Sequence, residues 1–441
     1  MAEGVVTIVG AGLAGSEAAL LLADAGIPVE LLEMRPGRLT PAHRTGWFAE
    51  LVCSNSLGSE EATSGKGLLK EELRILGSPL ARLAGSVRVP AGKALAVDRE
   101  LFGRRVTEAV RSRPGVTIRS GEVAAIPDGP LVVMACGPLP PDRLASSLRD
   151  FLGDGGLHFY DAISPIVEAD SVDREAAFVA DRYGAGSGDY LNLPMDRAQY
   201  EAFLAALLSA RTVPLRDFEE PKYFEGCMPV EEIARRGPET LLFGPLRPVG
   251  LRDPATGRVP HAVVQLRKEN AEGTMYNIVG FQTRMARPEQ QRVLSMIPGL
   301  SKATFLRYGS VHRNSFLDAR RHLTPWMESR KRAGLFFAGQ FTGVEGYVES
   351  IASGVVAAAA AAARARGGEP VEFPVESMIG ALMARITAPG TGDAQPMNAN
   401  FGLLPETDAR SKRDRKARKA EVALEAIRRF APAISPRPPG E

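Results

Sequence analysis

The sequence predicts an α/β protein: a discontinuous Rossmann-type dinucleotide-binding domain interrupted by an inserted α/β domain. Three observations predict it. Val5-Val6-Thr7-Ile8-Val9 is a β-branched run that meets a glycine-rich turn and then an Ala- and Leu-rich stretch over residues 16–25, which reads as strand, tight turn and helix. Residues 335–339, Leu-Phe-Phe-Ala-Gly, form another sheet-like run near the far end of the chain, followed by a long small-residue segment over 351–365. Between about 165 and 300 the texture changes to Pro- and Gly-punctuated segments. The expected units are therefore 1–164 and 301–441 for the discontinuous domain and 165–300 for the insertion.

Each element follows from local signals. Gly26-Ile27-Pro28 ends the first helix, and a second strand over 29–32 terminates in Glu33, completing a βαβ unit of about thirty residues. Asp98 is an N-cap for a helix that places Phe102, Val106, Ala109 and Val110 on one face. Residues 116–118 and 131–135 read as further buried strands, and residues 197–208 as the clear helix of the insertion. The alanine run 357–363 needs no special role, because Ala has the highest helix propensity; Gly367-Gly368 stops it.

Composition bounds the function classes. A chain of 441 residues exceeds the roughly 100 to 200 of one domain. Hydrophobic residues at 44% and charged ones at 24% exclude a disordered or collagenous chain. The net charge of 54 − 52 = +2 is unevenly placed: residues 401–441 hold ten Lys or Arg against six Asp or Glu, +4, which leaves −2 for the rest. Cys53, Cys136 and Cys227 are widely spaced with no CxxC pair, which excludes a disulfide framework, argues against a zinc site and fits a reducing cytoplasm. The N-terminus lacks the basic region of a signal peptide, and the most apolar segment, 351–363, is shorter than the ~18 residues of a spanning helix, so no membrane segment and no metal are expected.

The turn Gly10-Ala11-Gly12-Leu13-Ala14-Gly15 matches G-x-G-x-x-G between a strand and a helix, with Glu33 eighteen residues beyond the last glycine. Gly10 permits the tight turn, Gly12 lets backbone approach a pyrophosphate and Gly15 lets helix and strand pack closely. Glu33 suits the ribose hydroxyls of an adenosine without a 2′-phosphate. FAD and NAD are not distinguished here. The late segment from Gly339-Gln340 through Gly346-Tyr347 to Ser350 favours FAD, because it offers a second glycine-rich turn and helix N-terminus to a cofactor.

Six blocks taken together resemble a family: residues 10–15; Cys53-Ser54-Asn55-Ser56-Leu57-Gly58; Ala135-Cys136-Gly137-Pro138-Leu139; Tyr190-Leu191-Asn192; 308–316; and 335–353. In this order they are similar to the folate- and FAD-dependent tRNA (uracil-5-)-methyltransferase family, TrmFO, over residues 4 to about 355. The resemblance implies a glutathione-reductase-like FAD-binding fold and formation of 5-methyluridine at uridine 54 of the tRNA T-loop. It further implies 5,10-methylenetetrahydrofolate as carbon donor, stacked on the flavin ring, reduced FAD as reductant, and NADPH or NADH to regenerate it. Gly137 is expected to approach the flavin and Cys136 to be core.

Under that resemblance Cys53 and Cys227 carry the chemistry. C5 of uracil is not nucleophilic enough unaided; a thiolate adding to C6 makes it enolate-like, and a base must then remove the C5 proton. Cys227 is assigned as nucleophile and Cys53 as base, with the opposite assignment open. His312, Arg313 and Asn314, in the polar cluster at 308–316, are expected to contact substrate. The related MnmG family of wobble-uridine enzymes has a cysteine-containing block there and a larger C-terminal helical domain, and this chain has neither. Residues 410–419 hold seven bases and one acid, and Lys412, Lys416 and Lys419 share a helical face that would meet tRNA phosphates, or stand merely solvated. The rival readings are an MnmG-like or other NAD(P)H-dependent flavin oxidoreductase, and an RNA-binding flavoprotein without catalysis.

Overall fold

The structure is a computed structural model and describes residues 4–153, 157–182, 188–214, 223, 228–390, 394–408 and 411–434. A five-stranded parallel sheet runs in the order Leu335–Phe337, Val132–Met134, Val6–Val9, Val29–Glu33, Val116–Ser120. The chain moves from Val6–Val9 to one side and later returns to the other, so its direction of winding reverses between Val6–Val9 and Val132–Met134. Open α/β sheets place ligands outside the carboxyl ends of the strands at such a point. Here those ends are Gly10 and Cys136-Gly137.

Val132–Met134 is buried on both faces, whereas Val29–Glu33 buries Val29, Leu31 and Glu33 on one face and leaves Glu30 and Leu32 half-buried on the other. Val116–Ser120 departs from expectation. It is the sheet edge, and Thr117, Arg119 and Ser120 are exposed, so its Val and Ile face only one covered side. The helix Leu13–Asp24 packs against Tyr347–Ala365, which starts four residues before the segment expected from sequence. Gly354 sits at their crossing; a Cβ there would stand 2.5 Å from the Ala14 carbonyl oxygen. Tyr347–Ala365 has the length and apolar composition of a membrane span, but 72% of its apolar window is buried inside the protein, which makes it a core helix.

The chain leaves this unit along Leu157–Ile163 and returns along Ser310–Phe316, and the two strands pair antiparallel as a ribbon. Between them lies a six-stranded antiparallel sheet flanked by Arg197–Leu208, whose Asp196 and Gln199 form a reciprocal N-terminal cap. Leu193, Phe203, Val264, Ile278 and Phe281 build a separate core there. Its edge strand Phe305–Arg307 lies beyond residue 300, so this sheet extends past the boundary expected from composition.

Candidate active site

A cleft of about 1190 Å³, open mouth included, follows the carboxyl edge of the parallel sheet and reaches the ribbon. The three glycines of the first turn do different work there. A Cβ on Gly10, at φ +98°, would lie 2.5 Å from the Ala135 carbonyl oxygen, and one on Gly15 would lie 1.9 Å from that of Gly10. Both are imposed by packing. A Cβ on Gly12 would meet no atom within 4 Å among the described residues and would project at the cleft, which Gly12, Leu13 and Ala14 line. Nothing in the protein itself demands glycine at that position, whereas a dinucleotide pyrophosphate does. Gly137, Gly339, Gln340 and Tyr347 line the same cleft. Gly346, at φ +124°, opens the helix beyond; a Cβ there would strike the Glu349 carboxylate.

Glu33 is buried in the cleft wall and accepts the Ala11 N–H at 2.7 Å and the Arg35 N–H at 2.9 Å. Burial raises the pKa of its carboxyl, but the paired Arg35 guanidinium and these N–H donors outweigh that and hold it below the usual value. Arg35, which the sequence reading missed, also donates to the carbonyls of Trp47 and Ala11 and so fixes the turn to Glu33. Its signal was available: Glu33 and Arg35 are two apart at a strand end, on one side.

Cys53 does not itself line the cleft, but its neighbours Val52 and Tyr347 do. Its N–H and that of Ser54 donate to the Tyr347 hydroxyl at 2.7 and 3.1 Å, and its thiol points to the Ala162 carbonyl at 3.5 Å and Asp161 Oδ1 at 3.9 Å. Asn55 is fully buried; it accepts from Arg267 Nε at 2.9 Å and donates to the Val97 and Lys268 carbonyls. The cysteine loop is thereby clamped to the inserted sheet. Cys227 lies outside the described residues. Cys136 packs against the core but also lines the cleft, and burial pushes its thiol up to about 12.

The ribbon explains the polar cluster. His312 is the cross-strand partner of Asp161, and both line the cleft with Asn314. Arg313 alternates to the other side and lines a neighbouring pocket with Arg38 and Arg149. The expected contiguous substrate cluster is thus spread over two adjoining pockets, with Asn314 in the cleft, Arg313 in its neighbour and His312 bordering both. Burial and the Arg307 and Arg44 guanidinium groups push His312 down to about 4, and burial with Arg35 does the same to His43 across the cleft. Asp161, also missed, carries no motif in its Tyr160-Asp161-Ala162 context; only the ribbon register reveals it. Buried Glu345, beside Asp161 and accepting from Gln340, is held well above the carboxylate range by burial and by the Asp161 charge.

The basic helix Lys412–Ile434 requires a correction. Lys416 is half-buried over the Phe401 ring. Lys419 is buried and does not present its charge to solvent: it donates to the Leu404 carbonyl at 3.1 Å and the Glu406 carboxylate at 3.0 Å, with Phe401 O at 3.4 Å. Ala420, Ala423 and Ile427 bury the helix against the body, and that rotation takes Lys419 inward. Among the described residues no three His, Cys, Asp or Glu side chains group as metal ligands.

Residues 5–369 match the family model described as Glucose inhibited division protein A. The solved structure of Aquifex aeolicus GidA is similar at a TM-score of 0.72 and 17% identity, covering 99% of this chain and 74% of that one, and it shares the fold. The methylenetetrahydrofolate--tRNA-(uracil-5-)-methyltransferase TrmFO of Sulfurihydrogenibium sp. is 50% identical over 97% of this chain and 98% of its own, and that of Enterococcus faecalis 52% identical over 96% and 97%. With a Rossmann-type flavoprotein fold and half its residues shared along nearly its whole length, the chain belongs to the GidA family and, within it, to the TrmFO family.

Proposed function

We propose that this chain is a methylenetetrahydrofolate- and FAD-dependent tRNA (uracil-5-)-methyltransferase that forms 5-methyluridine at uridine 54 of the T-loop. The observation that carries the reading is near-full-length similarity to TrmFO enzymes combined with a cysteine hydrogen-bonded through its backbone to Tyr347, which lines the cleft of the glycine-rich turn. FAD fits the cleft: Gly12 leaves room for the pyrophosphate, Glu33 and Arg35 sit at the adenosine end, and Gly137, Gly339 and Tyr347 line the rest. When bound in reduced form it supplies electrons for converting a methylene unit to a methyl group. NADPH or NADH is the expected source of those electrons.

The chain's own residues supply the base chemistry. Cys227 adds through its thiolate to C6 of the uracil, and Cys53 takes the C5 proton. To act as that base Cys53 first gives up its own proton, and the Asp161 carboxylate facing its sulfur is the acceptor within reach; the Ala162 carbonyl helps to aim the sulfur, while Tyr347 fixes its backbone. His312, neutral at physiological pH, can offer one ring N–H and one acceptor to substrate across the cleft. Incubating FAD-loaded protein with an unmodified tRNA transcript, labelled methylenetetrahydrofolate and NADPH should place labelled 5-methyluridine at position 54. Absence of label from the RNA, with flavin present, would refute the reading.

A further inference from the structure

Two arginines at the junction of the two units carry buried guanidinium donors with no acceptor among the described residues. Arg99, the first residue of helix Arg99–Arg111, reaches across to the inserted sheet and sets Nη2 2.9 Å from the Glu269 carboxylate. Its Nε and Nη1 are buried with no acceptor among the described residues. Arg307, at the end of the edge strand Phe305–Arg307, has a buried Nε in the same state and no ion pair among the described residues. A buried donor left without a partner costs roughly 1–3 kcal/mol, so three of them in one place point to an acceptor that arrives from outside. Burial and the neighbouring Arg99 and Arg44 charges push Arg307 down to about 10, which still leaves it cationic at neutral pH.

Position selects the kind of acceptor. The Cys53 sulfur and the Tyr347 phenol both lie within electrostatic reach of the two guanidinium groups. Neither lines the cofactor cleft, whereas Val52 and Tyr347 do. The arginines thus adjoin Cys53 from outside the cleft lining, with Arg307 near enough to act on His312 within it. Arg267, holding Ser54 Oγ at 3.2 Å and Asn55, fixes the cysteine loop. An enzyme that works on a base takes it out of its stack, and contacts to the flanking phosphates set where that base lands.

We propose that Arg99 and Arg307 form a phosphate subsite that seats an RNA phosphodiester next to the target nucleotide, beside Cys53 and outside the set of residues that line the cofactor cleft. This rests on the tRNA methyltransferase reading. The subsite is a positioning device: it delivers no proton and makes no bond to the base, and it supplies charge where the substrate's charge is unavoidable.

The test reads RNA binding directly, in the FAD-loaded protein. A T-arm stem-loop is compared with versions carrying a neutral methylphosphonate at either phosphate flanking the target uridine, over a series of salt concentrations. Arg307→Gln should weaken binding roughly 10- to 100-fold and lower the log-log salt slope by about one, while Arg307→Lys keeps the slope. One methylphosphonate should weaken binding to the wild type and cost Arg307→Gln little more, because both remove the same contact. Arg99→Lys, which keeps a cation beside Glu269, should lose affinity for the unmodified RNA only. An unchanged salt slope in flavin-loaded Arg307→Gln, or losses that simply add, would overturn the subsite. So would a defect seen only as weaker use of polyglutamyl over monoglutamyl folate, which would assign the arginines to folate carboxylates. If Arg307→Gln does not fold, indifference of the wild type to both methylphosphonates decides the matter against the proposal. Since binding is measured without turnover, a wild type that binds RNA but transfers no carbon counts against the function and not against the subsite.

Discussion

The backbone N–H of Cys53 donates to the hydroxyl of Tyr347 at 2.7 Å, a contact between residues 294 apart in sequence that joins the cysteine loop to the start of the long core helix. Burial holds the Tyr347 phenol above its ordinary value, so the oxygen stays protonated while accepting from both Cys53 and Ser54. Tyr347→Phe removes the one acceptor both N–H groups use. Methyl transfer should fall by up to roughly 100-fold, the cost of misplacing a reacting group by about an ångström, with FAD content retained. Full activity in that variant would show that the loop holds its place without the phenol.

The two glycine positions give opposite failures. Gly12→Val should fold, because the space before Gly12 is open to the cleft, yet purify without flavin. Gly15→Val should fail to fold, since even its Cβ overlaps the Gly10 carbonyl. Flavin absorbance and circular dichroism separate the two. Stoichiometric FAD in Gly12→Val would remove the pyrophosphate from this turn.

How much of this was legible beforehand depended on whether a contact is local. The N-cap Asp98 and the helix Arg197–Leu208 follow from neighbours in sequence and stand where periodicity puts them, while the first helix begins at Leu13, inside the glycine motif and three residues before the expected stretch. Asp161, Arg99 and Arg307 acquire meaning only through register and the docking of two units, which no local pattern encodes. Lys419 shows the same limit from the other side. Its spacing with Lys412 and Lys416 defines a face, but which part of that face turns inward is set by Ala420, Ala423 and Ile427 meeting the body.

His43 and His312 make stability depend on pH with a definite sign. Both are pushed to about 4 in the folded protein, against 6.5 for the unfolded chain. As pH falls from 6.5 toward 4 the unfolded chain takes up protons that the native state refuses, so stability drops; above 6.5 both states are neutral at these groups. Glu17 and Glu72, raised to about 7 and about 8, act oppositely, losing their contribution as pH rises from 4.5 through those values. The urea midpoint difference between pH 7 and pH 5 should therefore shift toward lower relative stability at pH 7 in His43→Gln/His312→Gln. An identical difference in wild type and variant would place both rings in ordinary surroundings.

The thiols are tested one at a time. Cys53→Ala and Cys227→Ala should each abolish methylation while FAD binding survives, because a methyl group can neither add to C6 nor take a proton. With RNA carrying 5-fluorouracil, the covalent protein-RNA adduct should vanish in Cys227→Ala and persist in Cys53→Ala. The reverse pattern would exchange their roles, and near-normal transfer by either variant would remove that cysteine from the chemistry.

The basic helix now makes a divided prediction. If Lys412 and Lys416 meet phosphates, replacing both with Ala should weaken tRNA binding and reduce the salt slope by roughly two, each lost contact removing about one unit. Lys419→Ala should behave differently. Its ammonium closes the Phe401 to Glu406 segment onto the helix, and without it the Leu404 carbonyl and its neighbours lose a buried donor, at a cost on the order of 1–3 kcal/mol. Thermal unfolding should therefore report Lys419→Ala, and the salt slope should report the other two. A double variant with an unchanged slope would leave this face solvated and without a partner, and would shift the RNA-binding surface to the junction around Cys53. A salt slope lowered by Lys419→Ala at unchanged stability would mean that the buried lysine swings out to reach RNA.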